Sequence, residues 1–425
     1  MPTNEVGLRR LRVARAYLGA MWRRRPLPPG TLVPLDVLER GNRHILLDRA
    51  RTYGPIFKAL MQDRLVVCVI GGDVGRRLLR EQADALQPVT IQLESLVPRG
   101  FMRQMQGDTH RKYRRLLVGA CQHLDMEILA TRIEAAAADQ LAAFAASSVQ
   151  DGPAWSETLS RIATGALLDA FFGARPGEEA FDDLVEGYHK LGPHGFVATI
   201  APNQVSAFRL LSARLRMLEK APESTCLLAR LAPADDTMLG NLIYMVELGR
   251  YDLRSLFRWI SKYAAENPEW LPRVAAEIGL PVSARPATRA FVLELLRLEQ
   301  SERLMRNVRR GFVFDGFYVP RGALVRACMW ENHKDPDAFP APFAFDPSRF
   351  LNPSQFGDSY SPFGLDHHQC PLSSLSIHVA MAFLTALAGR YTLEKVGLGR
   401  PTRGPYHWEP GPDLAMRLSP RPGAH

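Results

Sequence analysis

Apolar positions along the chain follow two periods. From Asp73 to Glu299 they recur mainly three and four residues apart, and Ala/Leu-rich stretches at Ile128–Ala146, Ser160–Phe172, Val205–Leu218, Leu239–Ala265 and Ala287–Leu298 each predict a helix. Shorter apolar runs predict strands. Tyr53–Lys58 and Arg64–Gly71 meet at a polar turn, Phe312–Val319 holds a turn between two apolar runs, and Ala323–Cys328 is a further run. Pro336–Pro353, rich in Pro, Phe and Asp, predicts irregular coil. A last helical pattern, Leu372–Gly389, begins directly after Cys370-Pro371 and places that cysteine at the mouth of a helix. The sum is a mainly α fold with small β-sheets at one side.

Composition narrows this picture. No repeat, low-complexity tract or Ser/Gly linker divides the 425 residues, so the expectation is one domain over 1–425, with 1–34 as an N-terminal extension. Within that extension, Leu8–Arg25 carries an apolar part of about ten residues between Arg clusters, too short to span a bilayer. It reads as a surface helix whose membrane contact is at most peripheral. Lys+Arg exceed Asp+Glu by 53 to 44, but the arginines are scattered and form no stripe interleaved with aromatics. That favours an acidic protein partner over nucleic acid. Five cysteines without CxxC spacing argue against a disulfide scaffold or zinc ribbon and for a reducing, cytoplasmic location.

Three constellations carry chemistry. Ser361-Pro-Phe-Gly-Leu-Asp-His-His-Gln-Cys370 delivers a thiol to a helix start, where unpaired N–H groups and the helix dipole favour a thiolate able to ligate iron. Glu294 and Arg297 lie three apart on one helix face. Arg349, in Phe345-Asp-Pro-Ser-Arg-Phe350, offers a second guanidinium that the same carboxylate can bridge.

Taken in order, these residues resemble the cytochrome P450 family of haem-thiolate monooxygenases, over about Tyr53 to Val396. Phe363 stands seven before Cys370 and His368 two before it, Glu294-x-x-Arg297 precedes them, and Asn332-His-Lys-Asp-Pro336 fits the connecting segment. The resemblance implies the cytochrome P450 fold and haem b with Cys370 as axial ligand and sole metal-binding residue. It implies that His110, Arg114, Arg306 and His368 oppose the haem propionates. It further implies dioxygen-dependent oxidative tailoring of a small organic metabolite, of the kind found in secondary metabolism. The electrons would come from a separate acidic ferredoxin docked near Arg111, Lys112 and Arg115.

Several positions depart from the family. Glycines usual four before and two after the cysteine are Asp366 and Leu372, which crowd a tight loop. Leu248-Gly249-Arg250-Tyr251-Asp252 falls on the oxygen-activation segment, with Tyr251 at the acid position and Asp252 at the threonine position. Asp252 is then the candidate proton donor, or a group that pairs with Arg250 and only shapes the wall. Arg250 is a candidate for a substrate carboxylate. Leu298–Leu304 is polar where the family is apolar, so Glu299, Gln300 or Arg303 could pair with a polar substrate, while Gln87–Gln104 supplies apolar wall. The altered relay also leaves open a peroxide-dependent enzyme, dehydratase, isomerase or cyclase. A haem-free helper protein is a remoter reading.

Overall fold

The computed structural model describes residues 3–39, 41–61, 63–89, 96–192, 201–220, 225–300, 303–404 and 408–421. Its longest element is the central helix, Asp236–Glu266, whose first turn is capped by the Asp235 carboxylate accepting from Met238 N at 2.8 Å. At about 1.5 Å per residue its 31 residues run about 46 Å. Gly152–Phe172 and Ser373–Arg390 pack against it, and Met126–Ala146 packs against both of these. Ser373–Arg390 is buried along nearly its whole length from Val379 to Ala388, and Phe383 stacks on Phe257 of the central helix with ring centroids 4.2 Å apart. A helix apolar all round must be an interior one.

The β structure lies to one side. One sheet has six strands in the order Gly30–Pro34, Ile56–Met61, Arg64–Val69, Leu324–Cys328, Arg303–Val308, Leu86–Pro88. The turn predicted inside Phe312–Val319 joins strands Phe312–Phe314 and Phe317–Val319, with Asp315 and Gly316 both at positive φ, +46° and +82°. The helical stretches predicted from periodicity lie within helices, save that Leu372 precedes Ser373–Arg390 by one residue, with starts displaced by up to eight residues, as in Gly152–Phe172. Helix Ala287–Leu298 is realised as Pro286–Leu295 followed by a π turn, Leu296–Gln300. Helix Glu179–Leu191 and the C-terminal pair Tyr391–Val396/Ala415–Pro420 have no counterpart in the pattern analysis.

Glu294 fixes the coil that leads to Cys370. Its carboxylate accepts from Arg297 Nε and Nη2 at 2.7 and 2.8 Å and from the Asp346 amide at 3.0 Å, and Arg349 Nε stands 3.6 Å away. Arg297 also donates to the carbonyls of His333, Pro342 and Ala344. The expected bridge between two guanidinium groups is therefore present, and it is buried.

Candidate active site

The loop before Cys370 turns at Gly364, where φ is +116° and a Cβ would lie 3.0 Å from Gln369 Cα. A hydrogen bond from Cys370 N to Phe363 O, 2.8 Å, closes the turn. The strain expected at Asp366 and Leu372 is absent, because neither residue adopts positive φ and the demanding position belongs to Gly364. Leu372 donates its backbone N–H to the Cys370 sulfur. Burial nevertheless pushes the thiol up to about 11, so the helix start alone does not make a thiolate. Cys370 is half-buried and is the one free cysteine among the described residues that is not fully buried.

Beside the loop the fold gathers cationic and imidazole groups. Arg306, on an inner strand of the sheet, pairs with Asp366 at 2.7 Å, and Asp366 also accepts from His368 N at 2.8 Å. His110 stacks near His368 with centroids 4.1 Å apart, and His367 is 4.3 Å from His368. Arg114 donates to Gln369 O at 2.7 Å. Burial, then neighbouring His367 and Arg114, lowers His110 to about 4; burial, then His110, lowers His368 to about 3. Nδ1 of His368 is buried without a partner. Such a surround is short of negative charge, and Asp366 is its one described ion-pair partner.

Along the middle of the central helix Met245, Leu248, Gly249, Arg250, Tyr251 and Arg254 are half-buried and Asp252 is exposed; Met245, Leu248, Gly249 and Asp252 share one side. These four stand at i, i+3, i+4 and i+7, one stripe along the helix. After burial, the negative charge of Asp252 also raises the Cys370 thiol, so Asp252 lies within electrostatic reach of it. Arg250 and Tyr251 lie elsewhere. Arg250 donates to Glu247 at 2.9 Å, to Tyr188 O at 3.0 Å and to the Tyr251 hydroxyl at 2.8 Å, all on the far side against helix Glu179–Leu191. The expectations that Arg250 meets a substrate carboxylate or pairs with Asp252, and that Tyr251 stands at the acid position, are corrected by helix phase: Arg250 is held by the buried Glu247 carboxylate and the Tyr251 hydroxyl. Glu299 is likewise not free for a substrate, since it pairs with Arg43 and accepts from Tyr263 OH at 2.6 Å. The side chains of Gln300 and Arg303 and residues 90–95 lie outside the described residues. Of the predicted apolar loop, Phe101 stacks on Tyr244 at 3.6 Å and Met102 N donates to Asn241 at 2.6 Å, which lays this segment on the central helix beside the stripe. Met245, Leu248, Gly364 and Asp366 were not singled out as site residues; a helical-wheel projection from Gly249 and Asp252 finds the first two.

A sequence model of cytochrome P450 matches residues 281–405, which hold Glu294, Arg297, Arg306, Arg349 and Cys370. Curated relatives match over most of the chain. Abscisic acid 8'-hydroxylase 3 of Oryza sativa subsp. indica is 25% identical over 417 residues, covering 87% of this chain and 82% of its own. Abscisic acid 8'-hydroxylase 1 of Arabidopsis thaliana is 22% identical over 410 residues, covering 88% and 86%. These matches support a cytochrome P450. A retinoic-acid-bound cyanobacterial CYP120A1 shares the cytochrome P450 fold with a TM-score of 0.75 at 20% identity, covering 93% of this chain and 100% of that one. These matches likewise support a monooxygenase-type oxidoreductase whose haem is held by a cysteine thiolate.

The residues present fit that group. The cationic rim beside Cys370, with the orphan His368 Nδ1, suits carboxylates. Metal coordination also reverses the thiol's raised pKa by deprotonating it outright. For the haem-free chain a pH dependence follows. His110 titrates near 6.5 when unfolded but about 4 when folded, so its contribution is full above pH 6.5 and is lost as pH falls towards 4. Urea unfolding of the haem-free protein is expected to show lower stability at pH 4.5 than at pH 7, with a smaller loss in His110→Gln.

Proposed function

We propose that this cytochrome P450 hydroxylates a small, carboxylate-bearing organic metabolite, with Asp252 as its distal proton donor. The observation that carries the reading is the central-helix stripe whose Asp252 lies within electrostatic reach of Cys370: of Met245, Leu248, Gly249 and Asp252, only Asp252 holds a dissociable proton. When bound, the haem supplies the dioxygen and one-electron chemistry. The chain's own residues do the rest. Met245 and Leu248 give an apolar wall that orients hydrocarbon and excludes water, and the Asp252 carboxyl holds a proton within electrostatic reach of the thiol. His110, Arg114, Arg306 and His368 would hold the propionates, and Phe363 closes the loop that carries the Cys370 thiol.

Arg103 takes the role expected of Arg250. It is exposed, follows Phe101 and Met102 on the segment laid over the central helix, and hydrogen-bonds the Tyr244 hydroxyl. An acid as substrate is also in keeping with the names of the relatives, two abscisic acid hydroxylases and a retinoic-acid complex. A Soret titration with carboxylic acids and their methyl esters tests this. Acids are expected to bind at least about tenfold tighter than esters, with the preference lost in Arg103→Gln and kept in Arg250→Gln. Equal affinity of acid and ester would sink the carboxylate reading.

Electrons come from an acidic ferredoxin-type partner in this reading. A depression of about 260 Å³ lined by Asp108, Arg111, Lys112, Arg115 and Leu116 opens on the helix that also bears His110 and Arg114, on the Cys370 side. Charge reversal, Arg111→Glu/Arg115→Glu, is expected to raise the apparent KM for ferredoxin by about tenfold at low salt and to flatten its salt dependence.

Asp366 sets how firmly the haem is kept. Its pair with Arg306 would compete with a propionate for the same guanidinium. Asp366→Asn keeps an oxygen for the His368 amide but withdraws the charge, so haem transfer to apomyoglobin is expected to slow by roughly tenfold. Faster loss would instead make Asp366 a support of the loop.

A further inference from the structure

Helix Thr3–Trp22 is apolar on two opposite sides. Its inner side packs through Ala16 and Ala20 against Leu27 and Tyr318, and Gly19 lies so close to the Tyr318 ring that a Cβ there would meet it at 2.9 Å. Its outer side should then be polar, as on an ordinary surface helix. Instead Leu11, Leu18 and Trp22, at i, i+7 and i+11, form an outward stripe with exposures of 50%, 63% and 83%, and Met21 beside them is 74% exposed. An exposed tryptophan at the end of such a stripe has no role in the core and none in the haem site.

Charge around the stripe has one sign. Between Glu5 and Asp36 the sequence has seven arginines and no acidic residue. Arg12 is engaged by Asp63, whereas Arg15, Arg24 and Arg25 have no acidic partner among the described residues. The helix ends with Arg24 at φ +51°, a conformation that side-chain-bearing residues rarely adopt. Arg25 N and Arg24 N then bond back to Ala20 O and Met21 O, which holds three consecutive arginines at the Trp22 end of the stripe. No described helix is long and apolar enough to cross a membrane.

We propose that this helix docks the protein flat on an anionic membrane surface, with Leu11, Leu18, Met21 and Trp22 entering the interface and Arg15, Arg24 and Arg25 meeting lipid phosphates. Shallow burial of an apolar helix face, an indole at the headgroup level and arginines beside it are the features that interfacial binding uses. An acidic protein partner would match the charge but would leave the row of exposed apolar side chains without a reason. The mode is peripheral and reversible, and high salt weakens it.

Co-sedimentation with vesicles of phosphatidylcholine alone, and of phosphatidylcholine with phosphatidylglycerol, tests this on the full chain. Binding to the anionic vesicles only is expected. Leu18→Ser/Trp22→Ser should lower the partition coefficient by roughly tenfold or more, and Arg15→Gln/Arg25→Gln should lower it and flatten the salt dependence. All four side chains are on the surface, so haem content and unfolding midpoint serve as controls for intact fold. No binding to anionic vesicles, or binding untouched by the Leu18/Trp22 variant, would overturn the proposal. So would lipid-free self-association that the same variant abolishes, since the stripe would then be an interface between two copies of this chain.

Discussion

Glu294→Ala is expected to yield little folded protein. The carboxylate has no solvent exposure, and its removal leaves Arg297, equally buried, with three carbonyls but no counter-charge, and takes the nearest carboxylate from Arg349. Breaking a buried pair by deleting one partner costs about 3–5 kcal/mol, most of it from the stranded charge. That is a large fraction of the 5–15 kcal/mol that separates folded from unfolded states in typical domains, so about 10²–10⁴ in the folding equilibrium is at stake. The Asp346 amide also loses its acceptor, which frees the coil running from Pro336 towards Cys370. Glu294→Gln is expected to be intermediate, because it keeps hydrogen-bond acceptance without the charge. Recovered yield, haem content and urea midpoints of the two variants check this. Wild-type midpoints in Glu294→Ala would mean that the cage adds nothing to the fold.

The Glu294 cage was legible in sequence because its members have fixed spacing on a helix and a Pro-x-Arg-Phe element that few other contexts produce. Long helices were legible for a related reason: Ala/Leu repetition over some twenty residues repeats the same signal many times. Strands of three residues, such as Leu86–Pro88 and Pro401–Arg403, offer no period to detect. Their partners are distant in sequence, as the pairing of Leu86 with Val308 shows.

Site geometry was legible at Cys370 and less so around it. The family resemblance brought His110, Arg114, Arg306 and His368 into one neighbourhood, but nothing local announces that Asp366 pairs with Arg306, 60 residues before it. The fate of Arg250 depends on the phase of the central helix and on Glu247 beneath it, a carboxylate with no accessible surface. Motif position alone puts Arg250 and Tyr251 next to Asp252; helical geometry turns them towards Tyr188 instead. Gly364 shows the same limit. Glycine was expected at two other positions of the loop, and the backbone satisfied the turn by moving its one left-handed residue two places earlier than the first of them.

Asp252→Asn should separate proton delivery from the rest of the reaction. Asparagine keeps the size and polarity of the side chain and removes the dissociable proton, leaving the stripe formed with Met245, Leu248 and Gly249 intact. Haem content and the Soret response to acids are therefore expected to match wild type. Turnover driven by dioxygen and ferredoxin is expected to fall by roughly 10²–10⁴, the usual worth of a positioned general acid. Hydrogen peroxide brings its own protons, so peroxide-supported turnover should fall much less. The ratio of the two rates reads the proton step and is insensitive to a general loss of fold. Arg250→Gln is the control, because its side chain faces helix Glu179–Leu191: it is expected to lower stability while leaving that ratio unchanged. Equal losses in both reactions for Asp252→Asn would make the carboxylate a wall residue. Unchanged dioxygen-driven turnover would remove it from the mechanism and leave proton supply to the substrate or to water.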